Sequence, residues 1–397
     1  MGGIVIIGAG ECGVRAAFAL REAGFDGSVT LVGEERHLPY ERPPLTKNHP
    51  VAAKPIADAA RYADAGIVLM RGRRVESIDR AGKLVRLLGG ESLRYDKLLI
   101  ATGARARRFP GMEAALTLRS LDDAYAIVGA LRPGMRLAIV GGGFLGLELA
   151  ATARRAGVAV TVVEAGDRLM ARVVPAEIAA VAAERHRVGG VELILGVAVA
   201  GVRAKAIALA DGRSIEADLV VASVGAEPET RLARAAGLDV ANGIVVDQRL
   251  ATADTNIFAA GDCCSFPFNG ARVRLESWRA AQDQGAHAAR AMLGAEAAYA
   301  RLPWFWSDQY DLTLQVVGLP EPGLPSIRRD LGDGAFILFQ VSADGRLVSA
   351  SGIGQGNAVA RDIRLAELIV NGGLRPRAKD LADSAVGLKA VLRGMAA

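Results

Sequence analysis

Two stretches of this 397-residue chain carry glycines at the spacing that binds a dinucleotide phosphate. In the first, Gly8, Gly10 and Gly13 follow the β-prone run "IVII" and precede "VRAAFALREAG", which has helical periodicity. The first glycine permits a tight turn, the second lets the backbone approach a pyrophosphate, and the third allows close helix–strand packing. The helix N-terminus then offers free N–H groups and a positive dipole end to the phosphates. This stretch therefore predicts a dinucleotide site.

The second stretch repeats the pattern. Gly141, Gly143 and Gly146 lie between the strand pattern "LAIV" and the helical pattern "LGLELAATARRAG". Each stretch is followed by a second strand pattern that ends in an acid, Glu34 or Glu164, twenty-one and eighteen residues after its third glycine. A carboxylate in that place accepts ribose hydroxyls.

The acid of the second stretch bears on the choice between NADH and NADPH. A carboxylate at Glu164 repels a 2′-phosphate, which favours NADH over NADPH. Arg168, four residues further on, is able to receive such a phosphate and keeps the alternative open. Two dinucleotide units on one chain are typical of an electron carrier paired with its hydride donor.

Composition excludes several classes of protein. The chain has no run of eighteen uncharged apolar residues and no N-terminal export pattern, so we expect a cytoplasmic protein that does not insert in a membrane. Its three cysteines have no CxxC spacing and its four histidines have no ligand spacing, so we expect neither a redox dithiol nor a metal site. The net charge of +5 and the grouped arginines indicate either a solvated surface or one that attracts an acidic partner. Nucleic acid is disfavoured because the arginine groups lack interleaved aromatic residues.

Three further segments give the chain a family resemblance. They are "YDKLLIATGARARRFPG", "TNIFAAGDCC" and "ESWRAAQDQGAHAARAML". In this order they resemble the two-dinucleotide flavoprotein reductases of the pyridine nucleotide–disulfide oxidoreductase superfamily. The resemblance implies an α/β fold in which a Rossmann-like NAD(H) domain is inserted in a Rossmann-like FAD domain, followed by an α+β C-terminal domain. The implied segments are 1–109 and 243–308 for FAD, 110–242 for NAD(H), and 309–397 for the C-terminal domain.

One segment without cysteine narrows the resemblance to a single group within this superfamily. Where disulfide reductases carry a dithiol, this chain has "YERPPLTKN". Together with "GGGFLGLELAA", "AAGDCC", "PWFWSDQY" and "VGLKAVL", this segment makes the chain similar to the ferredoxin reductases of cytochrome P450 and Rieske-type oxygenase systems, the putidaredoxin reductase and biphenyl dioxygenase reductase family. The similarity covers essentially the full length. One departure is Thr46, where the family more often has serine, and the hydroxyl is kept.

The resemblance implies roles for individual residues. Lys47 would lie near the flavin N5 and pair with Glu148, and Trp306 would lie on the nicotinamide side of the flavin. The FAD set is Gly8, Gly10, Gly13, Glu34, Arg42, Lys47, Ala101, Thr102, Gly103, Arg107, Asp262, Ser277 and Trp278. The NAD set is Gly141, Gly143, Gly146, Glu148, Glu164 and Gly225. Pro43 and Pro44 fix φ and are predicted to start a helix that holds Lys47.

Three local patterns make further predictions. Ser277 is predicted to cap the N-terminus of a long helix, and Asp344–Gly345 is predicted to form a hairpin turn. The glycine-rich segment "SGIGQGN" lacks the six-residue dinucleotide pattern and is predicted to be a strand end and loop.

The implied function is transfer of a hydride from NADH to FAD and of single electrons to an acidic [2Fe–2S] ferredoxin that feeds an oxygenase. Two alternatives stay open from the sequence. One is an NADH oxidase or rubredoxin reductase, which differs only in the acceptor. The other is a slow redox-sensing flavoprotein akin to apoptosis-inducing factor. The resemblance is equally compatible with a monomer and a homodimer.

Overall fold

A computed structural model describes residues 2–321 and 323–396 of the chain. The α-helices are α1 Glu11–Glu22, α2 Ala59–Asp64, α3 Leu121–Ile127, α4 Phe144–Arg155, α5 Ala176–Val188, α6 Arg231–Ala235, α7 Trp278–Met292, α8 Ala360–Asn371, α9 Ala378–Ala382 and α10 Leu388–Ala396. Two short 3₁₀ helices span Pro43–Thr46 and Val128–Ala130.

Strands are also formed by the described residues, and many of them follow one another without an intervening helix. They are β1 Ile4–Ile7, β2 Val29–Val32, β3 Ile67–Met70, β4 Val75–Asp79, β5 Leu84–Leu87, β6 Ser92–Arg94, β7 Lys97–Ile100, β8 Ala104–Ala106, β9 Arg136–Val140, β10 Ala159–Glu164, β11 Val191–Leu195, β12 Val199–Arg203, β13 Ala206–Leu209, β14 Ser214–Glu216, β15 Leu219–Ala222, β16 Ala226–Pro228, β17 Val240–Ala241, β18 Gly243–Val245, β19 Ile257–Ala259, β20 Cys264–Phe268, β21 Ala271–Val273, β22 Trp304–Gln309, β23 Leu312–Gly318, β24 Ser326–Gly332, β25 Ala335–Val341 and β26 Leu347–Gln355.

The chain divides into two compact units. Unit 1 comprises Met1–Pro44, Ala53–Arg105 and Ala226–Arg301. Unit 2 comprises Leu45–Ala52, Ala106–Gly225 and Leu302–Ala397. The division into four segments that the resemblance implies stays a prediction.

Unit 1 is built on a parallel sheet of order β19-β7-β1-β2-β3. This is the strand order of a dinucleotide-binding half, with β1 at the centre. The strand β1 reads IVII and is buried along its whole length, as expected for a strand covered on both faces. One continuous hydrophobic core joins the sheet to α1 and α7. The sheet thus holds the first glycine turn at the end of its central strand.

Unit 2 repeats this arrangement in a parallel sheet of order β11-β10-β9-β15. Its central strand β9 leads into the second glycine turn and then α4. A separate antiparallel sheet of order β22-β23-β26-β25-β24 forms the C-terminal part of the unit. Apolar side chains of α4 and α5 pack against this second sheet, so β22 is held close to α4.

Most of the elements predicted from the sequence are confirmed. Both strand–turn–helix units are present, α7 begins at its predicted N-cap Ser277, and the Asp344–Gly345 hairpin joins β25 to β26. The glycine-rich "SGIGQGN" segment ends a strand, as expected. The helix predicted at the prolines is a four-residue 3₁₀ helix, Pro43–Thr46, which ends one residue before Lys47. Among the helices that the structure describes, none is both long and apolar enough to cross a membrane.

Candidate functional site

The first glycine turn leaves room for a ligand at its second glycine. Gly8 has φ +110°, and a Cβ there would lie 2.1 Å from the carbonyl oxygen of Ala101. A Cβ at Gly13 would lie 1.9 Å from the carbonyl oxygen of Gly8. A Cβ at Gly10 would meet no atom within 4 Å, and Gly10 is the N-cap of α1. The two outer glycines are required by packing, whereas the second opens a space at a helix N-terminus. This cradle fits a pyrophosphate.

The second turn has the same geometry in unit 2. A Cβ at Gly141, where φ is +105°, would lie 2.3 Å from the carbonyl oxygen of Ser223, and one at Gly146 would lie 2.5 Å from that of Gly141. Gly143 again has no atom within 4 Å of its Cβ position and is the N-cap of α4. Each unit therefore presents one cradle that fits a dinucleotide phosphate.

The two acids predicted to accept ribose hydroxyls are held differently. Glu34, two residues after β2, is largely exposed and lies 3.6 Å from the guanidinium of Arg74. Glu164 ends β10, and its carboxylate accepts hydrogen bonds from the N–H groups of Gly142 (2.7 Å) and Gly166 (2.8 Å). These bonds fix the Glu164 carboxylate beside the second glycine turn.

Arg168, the residue that could receive a 2′-phosphate, donates its side-chain hydrogen bonds to backbone carbonyl groups. Its guanidinium donates to the carbonyl oxygens of Val174 (3.0 Å) and Ala171 (2.8 Å). A 2′-phosphate would have to compete with both of these bonds, whereas Glu164 is already fixed beside the turn.

The remaining predicted FAD residues of unit 1 lie outside its strands. The Arg42 guanidinium pairs with Glu35 at 2.7 Å, and the Tyr40 hydroxyl also donates to Glu35. The Thr102 hydroxyl donates to the carbonyl oxygen of Glu229 (2.6 Å). Ser277 caps α7 by accepting from the N–H of Ala280. The predicted residues that belong to unit 1 are Gly8, Gly10, Gly13, Glu34, Arg42, Ala101, Thr102, Gly103, Asp262, Ser277 and Trp278.

Two residues of the predicted FAD set, Lys47 and Arg107, belong to unit 2 together with the whole predicted NAD set. The Arg107 N–H donates to the carbonyl oxygen of Gly225 (3.0 Å), and Gly225 has φ +102°. Arg107, assigned to FAD, is thus joined through its backbone to a residue assigned to NAD.

Lys47 is the centre of an ion-pair cluster in unit 2. Its ammonium lies 3.6 Å from Glu148 Oε1, as the resemblance implies, and 2.6 Å from Asp308 Oδ2. It also lies over the ring of Trp306, 5.3 Å from the ring centroid. The segment that carries Lys47 is fixed to α4, because the Thr152 hydroxyl donates to the carbonyl oxygen of Thr46 (2.7 Å). The three side chains predicted to be catalytic, Lys47, Glu148 and Trp306, therefore lie together.

Glu148 is a buried carboxylate surrounded by donors. Its side chain is only 10% exposed. The hydroxyls of Thr46 and Ser307 donate to its two oxygens at 2.6 and 2.7 Å. Burial raises the pKa of Glu148, while the Lys47 ammonium and the two hydroxyls lower it. The donors thus offset part of the cost of burying this charge.

A line of hydrogen bonds continues from Glu148 into the core. Ser307 accepts from the amide nitrogen of Gln309 (3.2 Å), and the amide oxygen of Gln309 lies 3.0 Å from His186 Nε2. Since an amide oxygen only accepts, His186 carries its proton on Nε2. Burial lowers the pKa of His186 to about 4, so the imidazole is neutral at pH 7. Every donor in the line is directed toward the Glu148 carboxylate.

Three polar residues of this cluster were not predicted from the sequence: Asp308, Ser307 and Gln309. All three belong to β22, within the segment "PWFWSDQY", in which the resemblance implies a role only for Trp306. Period-2 alternation of a strand places Ser307 and Gln309 on one face and Trp306 and Asp308 on the other. The sequence therefore shows which residues share a face of the strand. It does not show which helix or segment each face contacts.

The three cysteines are free and fully buried in unit 1. Burial raises the pKa of each thiol, most strongly those of Cys12 and Cys264. A buried thiol with a raised pKa is a poor nucleophile and a poor redox group. The Cys263 thiol also donates to the carbonyl oxygen of Ile100 (3.4 Å), which suits a packing role.

The two parallel sheets, their paired cradles and the C-terminal antiparallel sheet define a protein class that binds two dinucleotides on one chain. The family model "pyridine nucleotide-disulphide oxidoreductase" matches residues 2–285, and the model "reductase C-terminal" matches residues 304–392. The chain belongs to the pyridine nucleotide-disulphide oxidoreductase family. Membership in that family implies FAD and NAD(H) as cofactors, and the two cradles fit them.

Individual relatives match along nearly the whole chain. The ferredoxin–NAD(+) reductase component of the anthranilate 1,2-dioxygenase system of Burkholderia cepacia is 42% identical over 404 residues, covering 98% of each chain. Among solved structures, the covalent putidaredoxin reductase–putidaredoxin complex matches with a TM-score of 0.94 and 33% identity, covering 100% of this chain and 99% of that chain. The ferredoxin reductase for the CYP199A2 system from Rhodopseudomonas palustris matches with a TM-score of 0.92 and 35% identity, covering 98% and 99%. These matches confirm the predicted family and the predicted α/β fold class.

Proposed function

We propose that this protein is a FAD-dependent reductase that uses NADH to reduce an acidic [2Fe–2S] ferredoxin, which in turn feeds a Rieske-type or cytochrome P450 oxygenase. The observation that carries the proposal is the near-complete match to a ferredoxin–NAD(+) reductase component, 42% identical over 98% of both chains. The buried thiols support it, because electrons that leave this protein have no accessible cysteine to pass through.

Each unit contributes binding residues to the proposed reaction. The open space at Gly10 would accept the FAD pyrophosphate, and the open space at Gly143 would accept that of NADH. FAD, when bound, supplies the ability to accept a hydride and release electrons singly. Glu164, fixed by two backbone N–H groups, would accept the ribose hydroxyls and disfavour NADPH.

Lys47 is proposed to act on the flavin. The Lys47 ammonium is held by two carboxylates, and a positive charge beside a flavin stabilises electron density that enters the ring. Glu148 would keep that ammonium oriented, and Trp306 would lie on the nicotinamide side. No acid, base or nucleophile is required, because hydride transfer depends on proximity and electrostatics.

The proposal is tested with the FAD-loaded protein, a purified [2Fe–2S] ferredoxin and limiting oxygen. We expect NADH to bleach the flavin absorbance faster than NADPH does, and the ferredoxin to be reduced catalytically. We expect the Lys47→Met variant to keep its FAD and to bleach at least about tenfold more slowly, since one positive charge next to the reacting ring is lost. The Lys205→Met variant, which changes an exposed lysine of the same unit, is the control.

Other outcomes distinguish the alternatives. Rapid oxygen consumption with NADH alone and no ferredoxin reduction would indicate an oxidase. Very slow turnover with a persistent charge-transfer absorbance band would indicate a redox-sensing flavoprotein. Unchanged bleaching kinetics in Lys47→Met would refute the role of Lys47.

A further inference from the structure

Asp308 contacts two of the three side chains assigned to the reaction. Its Oδ2 atom accepts from the Lys47 ammonium at 2.6 Å and from the Trp306 indole N–H at 3.1 Å. Its Oδ1 atom accepts from the Thr313 hydroxyl at 3.0 Å. The carboxylate is therefore fixed by one oxygen and uses the other to hold a lysine and a tryptophan together.

The geometry explains why an acid at this place matters. Trp306 and Asp308 are two residues apart on β22, so their side chains lie on the same face of the strand. Lys47 comes from a segment 261 residues away in sequence and has a flexible four-carbon stem. Its distance to Glu148, 3.6 Å, is longer than a direct hydrogen bond. Of the two carboxylates, Asp308 makes the closer contact with the ammonium.

Loss of Asp308 would change both partners. The Lys47 ammonium would be free to move toward Glu148, which already attracts it. The Trp306 indole would lose a charge-assisted hydrogen bond, and it also stacks on Trp304 with ring centroids 5.4 Å apart. Each shift would separate the ammonium from the ring that it now covers.

We propose that Asp308 is a positioning residue that fixes the Lys47 ammonium and the Trp306 indole relative to each other for hydride transfer. This inference rests on the proposed function, since it takes Lys47 and Trp306 to act on the flavin and nicotinamide. Asp308 acts through these two side chains and is not itself a catalytic residue.

The test uses FAD-loaded protein carrying Asp308→Asn or Asp308→Ala. Asparagine keeps the size of the side chain and an oxygen for the indole N–H, but removes the ionic bond to Lys47. Alanine removes both. Asp311→Asn is the matched control, because Asp311 lies at the same hairpin and pairs with Arg185 at 2.5 Å, away from Lys47.

Two readouts separate positioning from a general structural effect. We expect the limiting rate of flavin bleaching by NADH to fall at least about tenfold in both Asp308 variants, while the Kd for NADH changes by less than about twofold. The circular dichroism couplet of the stacked Trp304–Trp306 pair should persist in Asp308→Asn and weaken in Asp308→Ala. Asp311→Asn should match the wild type in both measurements.

A failure of the role proposed for Asp308 is distinguishable from a failure of the proposed function. If NADH does not bleach the flavin of the wild-type protein, the proposed function itself is refuted. Wild-type bleaching with the same limiting rate in both Asp308 variants, or an equal loss in Asp311→Asn, would overturn only the role of Asp308. If Asp308→Ala does not fold, the isosteric Asp308→Asn variant still tests the role of Asp308.

Discussion

At the scale of single residues, the most informative side chain is Glu148. Its carboxylate is buried, yet it accepts two short hydroxyl bonds and faces the Lys47 ammonium. Removing water raises the free energy of the charged form, and these donors replace part of the lost solvation. The ionisation of Glu148 therefore depends on the Lys47 ammonium and, beside it, on two neighbours that carry no charge.

The first prediction concerns one of those neighbours, Ser307. Replacing Ser307 with alanine removes a donor that lowers the pKa of Glu148, so that pKa should rise further. A Glu148 that protonates at higher pH no longer holds Lys47 by charge, and the rate should fall at a higher pH than in the wild type. We expect the acid limb of the flavin-bleaching rate to move to higher pH. Stopped-flow bleaching by NADH, from acidic to mildly alkaline pH, measures it.

A second buried serine provides the control. Ser349 donates to Gln340 Oε1 at 3.0 Å in the C-terminal sheet of the same unit, and neither group ionises. Ser349→Ala should leave the acid limb in place. An acid limb that stays unchanged in Ser307→Ala would contradict the assignment of that limb to Glu148.

At the scale of elements, the protein uses one strand–turn–helix device twice. In each copy the first and third glycines are packed against backbone, and the second faces open space. The same pattern of three glycines thus combines a requirement of folding with a requirement of ligand binding. Substitutions at the first and second glycines should separate the two.

The second prediction follows for the turn before α4. Gly143→Ala should fold normally, because φ −82° and ψ 178° suit any residue and its Cβ meets no atom within 4 Å. It should weaken NADH binding at least about tenfold, since the methyl group occupies the approach of the pyrophosphate. Gly141→Ala should instead destabilise the fold by about 1–3 kcal/mol or more, because φ is +105° and its Cβ would clash with the Ser223 carbonyl oxygen. Thermal unfolding and NADH titration of both variants measure the difference. Equal losses of stability in the two variants would contradict it.

The third prediction concerns the C-terminal helices. Arg329 of β24 is only 2% exposed, and its guanidinium donates to the carbonyl oxygens of Leu381, Asp383 and Val386. Its Nε lies 3.4 Å from Asp362 of α8. This one side chain therefore ties the segment after α9 to the sheet.

Replacing Arg329 with methionine would leave those carbonyl groups and Asp362 buried without their donor. We expect the free energy of unfolding to fall by about 3–5 kcal/mol. Arg329→Lys should recover little, because an ammonium lacks the planar fork that reaches several acceptors. Arg328→Met, which changes the exposed neighbour on the same strand, is the control in chemical denaturation. If the free energy of unfolding falls no more in Arg329→Met than in Arg328→Met, Arg329 does not tie the segment after α9 to the sheet.

At the scale of the whole molecule, the net charge of +5 and the grouped arginines bear on the partner. A positive protein surface accelerates its encounter with an acidic ferredoxin, and salt screens that attraction. We expect kcat/KM for the ferredoxin to fall at least about tenfold between about 0.01 M and about 1 M salt, as the Debye length shrinks from about 30 Å to about 3 Å. Steady-state reduction of the ferredoxin measures it, and a neutral quinone acceptor, whose reduction should change little, is the control. A salt-insensitive rate with the ferredoxin would remove the electrostatic docking proposal.

Much of this protein followed from its sequence because the decisive patterns are local. Glycine spacing fixes the backbone of a turn within six residues, and continuous apolar runs indicate the buried strands that lead into it. The two dinucleotide units, the acids Glu34 and Glu164, the cap at Ser277 and the C-terminal hairpin are all of this kind. The family resemblance added the Lys47–Glu148 pair, which no local pattern specifies.

Only the tertiary structure decided what surrounds that pair. Ser307 and Asp308 lie 159 and 261 residues away from the groups that they contact, Glu148 and Lys47. Their approach depends on how β22 packs against α4, which is a property of the folded core. The strand period predicts that Ser307 and Asp308 face opposite ways, but only packing assigns one face to the buried carboxylate and the other to the lysine. The sequence by itself predicted which groups would bind the dinucleotides, and long-range packing determined which groups hold the lysine.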